Sequence, residues 1–491
     1  MSDKRKSIVE YLAIHASENP LKIAVVANGI ETTYSELWKL VRGYASYLFR
    51  KGIQKGDFVV TRASQSLDFV VIYFGVHLAG GVIASLERNL PESSVIDVTR
   101  KLKSKYIIAD DIENNDFNFL SRKNILSIAE ENYDEQFTFN FPLLSDSADI
   151  LFTTGTTGDS KGVELSHNAI SATAENLIDG CLYKKDTVMI VPGPLNHANA
   201  IRKLFTSIAN GSTVYILSGM MNLMKFFEAL DYSKGTISCC LPPAAIRTIF
   251  QNTGKKLGEY KNKIDFIESA TSPLPEPDKE RLRELLPGTR LYNNYGSSES
   301  ASVCMYDYAQ YPDKKGCVGL PGKNSKIIVV DDNKQEIKSS KERMGLLACI
   351  GDVNMKGYVG DAEKTKEVLS DGIVYTNDIG YIDSDGFVYV SGRKGDVINV
   401  GGLKVAPTEI ESAALSVDGV EDCICIPVPD KITGSALKLL VVMKNGETLD
   451  SKKITASLRK NLESFKIPHL YEQVDKIART YNGKLDRKAY L

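Results

Sequence analysis

Leu151-Phe-Thr-Thr-Gly-Thr-Thr-Gly-Asp-Ser-Lys-Gly-Val-Glu-Leu-Ser-His167 is the stretch on which the fold and function of this chain turn. Four threonines (Thr153, Thr154, Thr156, Thr157), two glycines (Gly155, Gly158) and Lys161 fall between two apolar runs of strand character. Such a loop can wrap an oligophosphate. Glycine lets backbone N–H groups approach closely, hydroxyls donate to phosphate oxygens, and the lysine adds a mobile positive charge. An ordinary Gly/Thr turn between strands has the same composition. The spacing Gly-x-x-x-x-Gly-Lys-Ser/Thr is met from neither glycine, so this is not a Walker-type loop.

At 491 residues the chain is too long for one core, and two or three domains are expected. A hydrophobic share of 43%, a charged share of 25% and a formal charge of −2 describe a globular protein without a strongly basic face, which argues against a nucleic-acid partner. The eight cysteines are scattered, with no Cys-x-x-Cys pair and no zinc-like pairing with the five histidines; reduced thiols in a cytoplasmic setting are expected. Phe69 to Ala84, the longest apolar stretch, is too short to span a bilayer as a helix and carries His77 and Gly80-Gly81. It reads as a buried helix followed by a strand, and no membrane segment is expected.

On both sides of the opening stretch, strand and helix periods alternate. Strands are predicted at Lys22–Ala27, Phe58–Thr61, Tyr106–Ala109, Thr187–Val191, Thr213–Leu217, Thr236–Leu241, Asp265–Ala270 and Arg290–Asn294, and a helix over Tyr34–Phe49. The polar segment Asp110–Asp146 reads as an irregular surface excursion. This alternation favours an α/β fold with parallel sheets covered by helices. From about residue 325 strands and turns take over, and the last hundred residues suffice for a small α+β domain.

Three further motifs stand at intervals: Tyr295-Gly-Ser-Ser-Glu299, the pair Asp378 in Tyr375-Thr-Asn-Asp-Ile-Gly380 and Arg393 in Ser391-Gly-Arg-Lys-Gly395, and Ala478-Arg-Thr-Tyr-Asn-Gly-Lys-Leu-Asp-Arg487. With the opening loop they resemble the acyl-adenylate-forming superfamily of acyl-CoA synthetases, peptide-synthetase adenylation domains and luciferases. That family's phosphate loop is usually Thr-Ser-Gly-Thr-Thr-Gly-x-Pro-Lys-Gly; here Thr154 replaces the serine and Ser160 the proline. Asn377 and Leu346 stand where the family prefers glycine and glutamate.

The resemblance implies a large N-terminal domain (residues 1–392) of doubly wound sheets plus a distorted β-barrel subdomain. A hinge (393–396) and a small mobile C-terminal domain (397–491) would follow. It implies ATP, Mg²⁺ and CoA as ligands and a carboxylic acid as substrate, with an acyl carrier protein as the alternative acceptor. Thr153, Thr154, Gly155, Thr156, Thr157, Gly158 and Lys161 would grip phosphates. Tyr295 would stack on adenine, Ser298 would donate to the α-phosphate and Glu299 would hold Mg²⁺. Asp378 and Arg393 would bind the ribose, and Lys484 would bridge the attacking carboxylate and the α-phosphate. His197, in Gly193-Pro-Leu-Asn-His-Ala-Asn-Ala200, would orient the acid. A core histidine is its bland alternative; Arg202 and Lys203 could read a second carboxylate, with a surface-facing or ion-paired role as their alternative. Gly401-Gly402 would admit the pantetheine arm. The segments His197–Ile201, Ala270–Ser272 and Gly296–Val303 would wall the acid pocket, and their small residues suggest a medium-chain or aromatic acid.

Overall fold

Runs of branched apolar residues build the parallel core of the largest sheet. The computed structural model describes residues 4–110, 116–153, 161–401, 403–444, 446–479 and 485–490. Thr154, Gly155, Thr156, Thr157, Gly158, Ser160, Gly402 and Lys484 lie outside them. In the largest sheet Arg290–Ser297, Ile264–Ser269, Thr236–Cys240, Thr187–Val191, Thr213–Ile216 and Ile23–Ala27 lie side by side and parallel. A helix follows each of Thr187–Val191, Thr213–Ile216, Thr236–Cys240 and Ile264–Ser269, the pattern that buried parallel strands require.

The same sheet continues antiparallel through Ala301–Asp307, Cys317–Pro321, Val388–Arg393, Ile373–Ile382, Gly345–Gly351 and Ser325–Val330. The strands after residue 325 were expected, whereas Ala301–Asp307 and Cys317–Pro321 extend the antiparallel part earlier than the sequence indicated. A second sheet of seven strands has Ser147–Thr153, Val82–Leu86, Phe58–Arg62 and Tyr106–Ile108 as its parallel centre. Residues between Ile398 and Ile467 gather a separate core under the hairpin Val420–Asp430 and Gly434–Met443, giving the small C-terminal domain.

The segment expected to be an irregular excursion is more ordered. Asn118–Leu120 joins the edge of the second sheet, and Ile125–Glu131 forms a helix that buries Ile125 and Ala129. It packs on the helix Tyr34–Arg50 at Gly43, where an added Cβ would lie 1.8 Å from the Ala129 carbonyl oxygen. A two-turn helix with two apolar anchors leaves too short a period to read against its polar surroundings.

Beneath the strand Ser147–Thr153 lies a sealed polar cluster. Asp149 accepts from His77 Nε2 at 2.9 Å and from the Tyr73 hydroxyl at 2.8 Å, and the His167 ring stands edge-on to His77 with centroids 4.9 Å apart. The network pins both strands of the hairpin, since His167 directly follows Lys161–Ser166. Burial, with His77 adding to it, holds His167 well below its ordinary pKa. The unfolded chain therefore takes up a proton that the folded chain refuses, so stability falls as pH drops below about 6.5. Thermal unfolding at pH 7.5 and pH 5.5 should show this loss, reduced in His167→Gln. Asp149→Ala, which orphans two buried donors, should cost about 2–4 kcal/mol in apparent stability.

Candidate functional site

The opening loop is closed at its base by a cross-strand pair, Thr153 opposite Lys161. Its two flanks, expected as strands, are adjacent and antiparallel. The short strand Gly357–Tyr358 pairs beyond Lys161–Ser166. It places the Tyr358 ring under the Lys161 ammonium, 5.4 Å from the ring centroid, and the Tyr358 hydroxyl donates to Glu299 Oε1 at 2.8 Å. The Met355 N–H also donates to the Glu299 carbonyl at 2.8 Å. Sequence reasoning passed over Tyr358; its cue is an aromatic residue between the glycines of Gly357-Tyr-Val-Gly360.

Tyr295-Gly-Ser-Ser-Glu299 forms the tip of the hairpin between Arg290–Ser297 and Ala301–Asp307. Gly296 is required there, because an added Cβ would sit 1.6 Å from the Ala301 carbonyl oxygen. Ser297 Oγ accepts from the N–H groups of Glu299 and Ser300, both at 3.1 Å, which tightens the turn around half-buried Ser298. On the other side the Tyr295 hydroxyl donates to Asp378 Oδ2 at 2.7 Å. Asp378 faces Arg393 across paired strands, with Arg393 Nε 3.4 Å from Asp378 Oδ1. Burial, reinforced by the neighbouring carboxylate, raises the pKa of both phenols well above the ordinary tyrosine value. Each therefore stays a donor to its carboxylate throughout the working pH range.

His197 is the half-buried N-cap residue of the helix Ala198–Asn210. Arg202 and Lys203 depart from the surface-facing alternative: they are 7% and 0% exposed. Lys203 is ion-paired, Nζ to Glu268 Oε1 at 2.6 Å, whereas Arg202 Nη2 donates to the Ser297 carbonyl at 2.6 Å.

The last strand of the large domain leads to the candidate hinge. The Lys394 N–H donates to the Asn377 carbonyl at 2.7 Å, and Lys394 Nζ lies 2.7 Å from Asp332 Oδ1. Asp396 faces the other domain, with Arg487 Nε 3.7 Å from its Oδ2. Arg487 also clamps buried Glu411 at 2.6 and 2.8 Å and donates to the Cys425 carbonyl at 3.0 Å. The tail that carries Lys484 is thus fastened three residues beyond that lysine.

Residues 12–359 match the family described as AMP-binding enzyme, and residues 409–484 match the AMP-binding enzyme C-terminal domain. The chain belongs to the AMP-binding enzyme family. Over 99% of its length it is 26% identical to the long-chain-fatty-acid–CoA ligase of Bacillus subtilis strain 168, covering 94% of that protein. Over 98% it is 27% identical to the 2-succinylbenzoate–CoA ligase of Geobacillus sp. strain WCH70, covering 96% of it. Among solved structures, ATP-bound MatB from Rhodopseudomonas palustris superposes with a TM-score of 0.87 at 24% identity, over 98% of this chain and 99% of that one. The Bacillus subtilis o-succinylbenzoate coenzyme A synthetase (MenE) complexed with ATP and magnesium gives 0.84 at 21%, over 97% and 98%. These structural likenesses establish the fold of this AMP-binding enzyme.

Two glycines make opposite demands on this framework. Gly296→Ala should lower the apparent melting temperature by at least about 3 °C, because the hairpin tip must move. Gly395→Ala should stay within about 1 °C, since its added methyl meets nothing within 4 Å.

Proposed function

We propose that this chain is an ATP-dependent carboxylic acid:CoA ligase, which forms acyl-AMP and pyrophosphate and then the acyl-CoA thioester. The observation that carries this reading is the convergence of two chains of polar contacts on one hairpin tip. Lys161, Tyr358 and Glu299 approach from the phosphate-loop side, and Arg393, Asp378 and Tyr295 from the other. A cation, an acid and a polar turn thus stand in the order in which a nucleoside triphosphate presents phosphates and sugar. The relatives named as CoA ligases support the same reading.

In this assignment the loop from Thr153 to Gly158, with Lys161, holds the β,γ end of ATP. Ser298 donates to the α-phosphate, Asp378 accepts from the ribose hydroxyls, and Arg393 donates to the same sugar. Tyr295 offers its ring to adenine while its hydroxyl keeps Asp378 aimed. Glu299 fits a magnesium site: a hard carboxylate, fixed by Tyr358, suits an ion that takes its other ligands from phosphates and water. Bound there, the ion would neutralise phosphate charge. His197 orients the acid, and Lys484 stabilises the charge that builds at the α-phosphate during attack by the carboxylate. Positioning and electrostatics supply most of the rate, because the chain offers no covalent nucleophile in this scheme.

We assign residues 393–396 as the hinge between a large domain at 1–392 and a small one at 397–491. What supports it is the change of partners around Gly395: Lys394 is tied to the large domain through its N–H and Asp332, while the Asp396 carboxylate faces Arg487. Rotation there would bring the Gly401-Gly402 loop over the nucleotide to admit CoA. All eight cysteines are buried thiols, which supports a reducing, cytoplasmic setting. No helix of the described residues is long and apolar enough to cross a membrane.

Lys484→Ala should lower acid-dependent ATP–pyrophosphate exchange by about 100-fold or more while sparing thioester formation from synthetic acyl-AMP. Loss of neither step would overturn the assignment. Tyr358→Phe should raise the apparent KM for Mg·ATP about tenfold, the scale of one hydrogen bond to a charged group. Supplying CoA and a phosphopantetheinylated carrier protein in parallel should yield product with CoA.

A further inference from the structure

Arg202 is a nearly buried cation held by a neutral partner. It is 7% exposed, and its Nη2 donates to the Ser297 carbonyl at 2.6 Å, while Glu268 and Glu299 act on it only through space. Burial pushes its pKa down to about 10 although both carboxylates work to raise it, so the guanidinium keeps its charge at neutral pH. A buried charge ordinarily pairs with an opposite one, because one carbonyl returns less than the lost hydration. The adjacent Lys203 does so, with Glu268 at 2.6 Å.

The Ser297 carbonyl shares its peptide unit with the Ser298 N–H. The peptide is trans, so the two groups point in opposite directions, and the N–H faces away from Arg202. The next two N–H groups of the turn, those of Glu299 and Ser300, are both taken by Ser297 Oγ. Among the described residues the Ser298 N–H has no hydrogen-bond partner, and Ser298 is half-buried at the tip. The turn thus leaves an N–H open on the peptide whose other end is bonded to a cation.

We propose that Arg202 is a positioning residue that polarises the Ser297–Ser298 peptide, so that the Ser298 N–H donates to an α-phosphate oxygen beside the Ser298 hydroxyl. This rests on the ligase reading, and it gives Arg202 to the adenylation step rather than to a second carboxylate of the acid. A cationic donor draws electron density from the carbonyl, which makes the N–H of the same amide a better donor. Linked hydrogen bonds strengthen one another by roughly 10–30% each. The bond to the phosphate gains most as negative charge builds there, so the effect belongs to kcat rather than to KM. Deleting such a donor outright costs about 10²–10³ in kcat, and weakening it costs less.

The test is ATP–pyrophosphate exchange in wild type, R202M and R202K, with whichever of acetate, octanoate, succinate and 4-coumarate the wild type exchanges fastest. R202M, which removes the charge, should lose at least about tenfold in kcat, with KM for Mg·ATP and for the acid within about threefold. R202K, a cation that can still donate to the carbonyl, should keep at least about a third of kcat. A second readout uses ATP with sulfur in place of one non-bridging α-phosphate oxygen. Sulfur accepts a hydrogen bond poorly, so the wild type should slow with at least one diastereomer, and R202M should slow less. A folded R202M with the wild-type kcat would overturn the inference and leave the ligase reading standing. So would a loss confined to KM, equal losses in R202M and R202K, or an unchanged sulfur effect. Should R202M not fold, R202Q takes its place with the same expectations, and absence of any sulfur effect in the wild type overturns the inference whatever the variants do. Exchange with none of the acids would remove the ligase reading, and the inference with it.

Discussion

A phenol bonded to a carboxylate joins the two largest sheets of this protein at the place where a nucleotide would lie. Tyr358 belongs to the edge strand beside Lys161–Ser166, and Glu299 to a hairpin tip of the large sheet; their hydrogen bond is 2.8 Å long. The two sheets pack on one shared apolar core that includes Tyr358 itself, so the phenol is held in place by packing as well as by its hydrogen bond. The bond therefore sets the distance between the base of the threonine-rich loop and the candidate metal ligand. Because burial keeps the phenol protonated, that spacing does not titrate near neutral pH.

The same economy appears on the sugar side. Tyr295 and Arg393 reach Asp378 from different strands, so the carboxylate is aimed before any ribose arrives. Preorganisation of this kind moves the cost of orientation from binding to folding. The hinge region shows the complementary property. Lys394 is tied to the large domain, the Asp396 carboxylate faces Arg487, and Gly395 between them has open space around its Cα.

Much of this was legible in the sequence where chemistry imposes a pattern. The apolar runs Thr187–Val191 and Ser325–Val330 are strands at the residues expected, and Tyr34–Arg50 shows its helical face in Leu37, Val41, Tyr44 and Leu48. The motif residues Lys161, Tyr295, Glu299, Asp378 and Arg393 converge as their order implied. Tyr358 and the Lys203–Glu268 pair were not legible, because their partners stand 59 and 65 positions away, which no local period records. Arg202 and Lys203 illustrate the limit directly: a basic pair on a helix usually faces water, and only tertiary packing reveals that these two do not.

The account stands or falls on what the enzyme does with ATP when an acid is present and CoA is not. Exchange of labelled pyrophosphate into ATP by the wild-type protein measures this directly. The account predicts exchange that needs both the acid and Mg²⁺ and releases AMP once CoA is added. Exchange indifferent to the acid, or cleavage of ATP to ADP and phosphate, would contradict it.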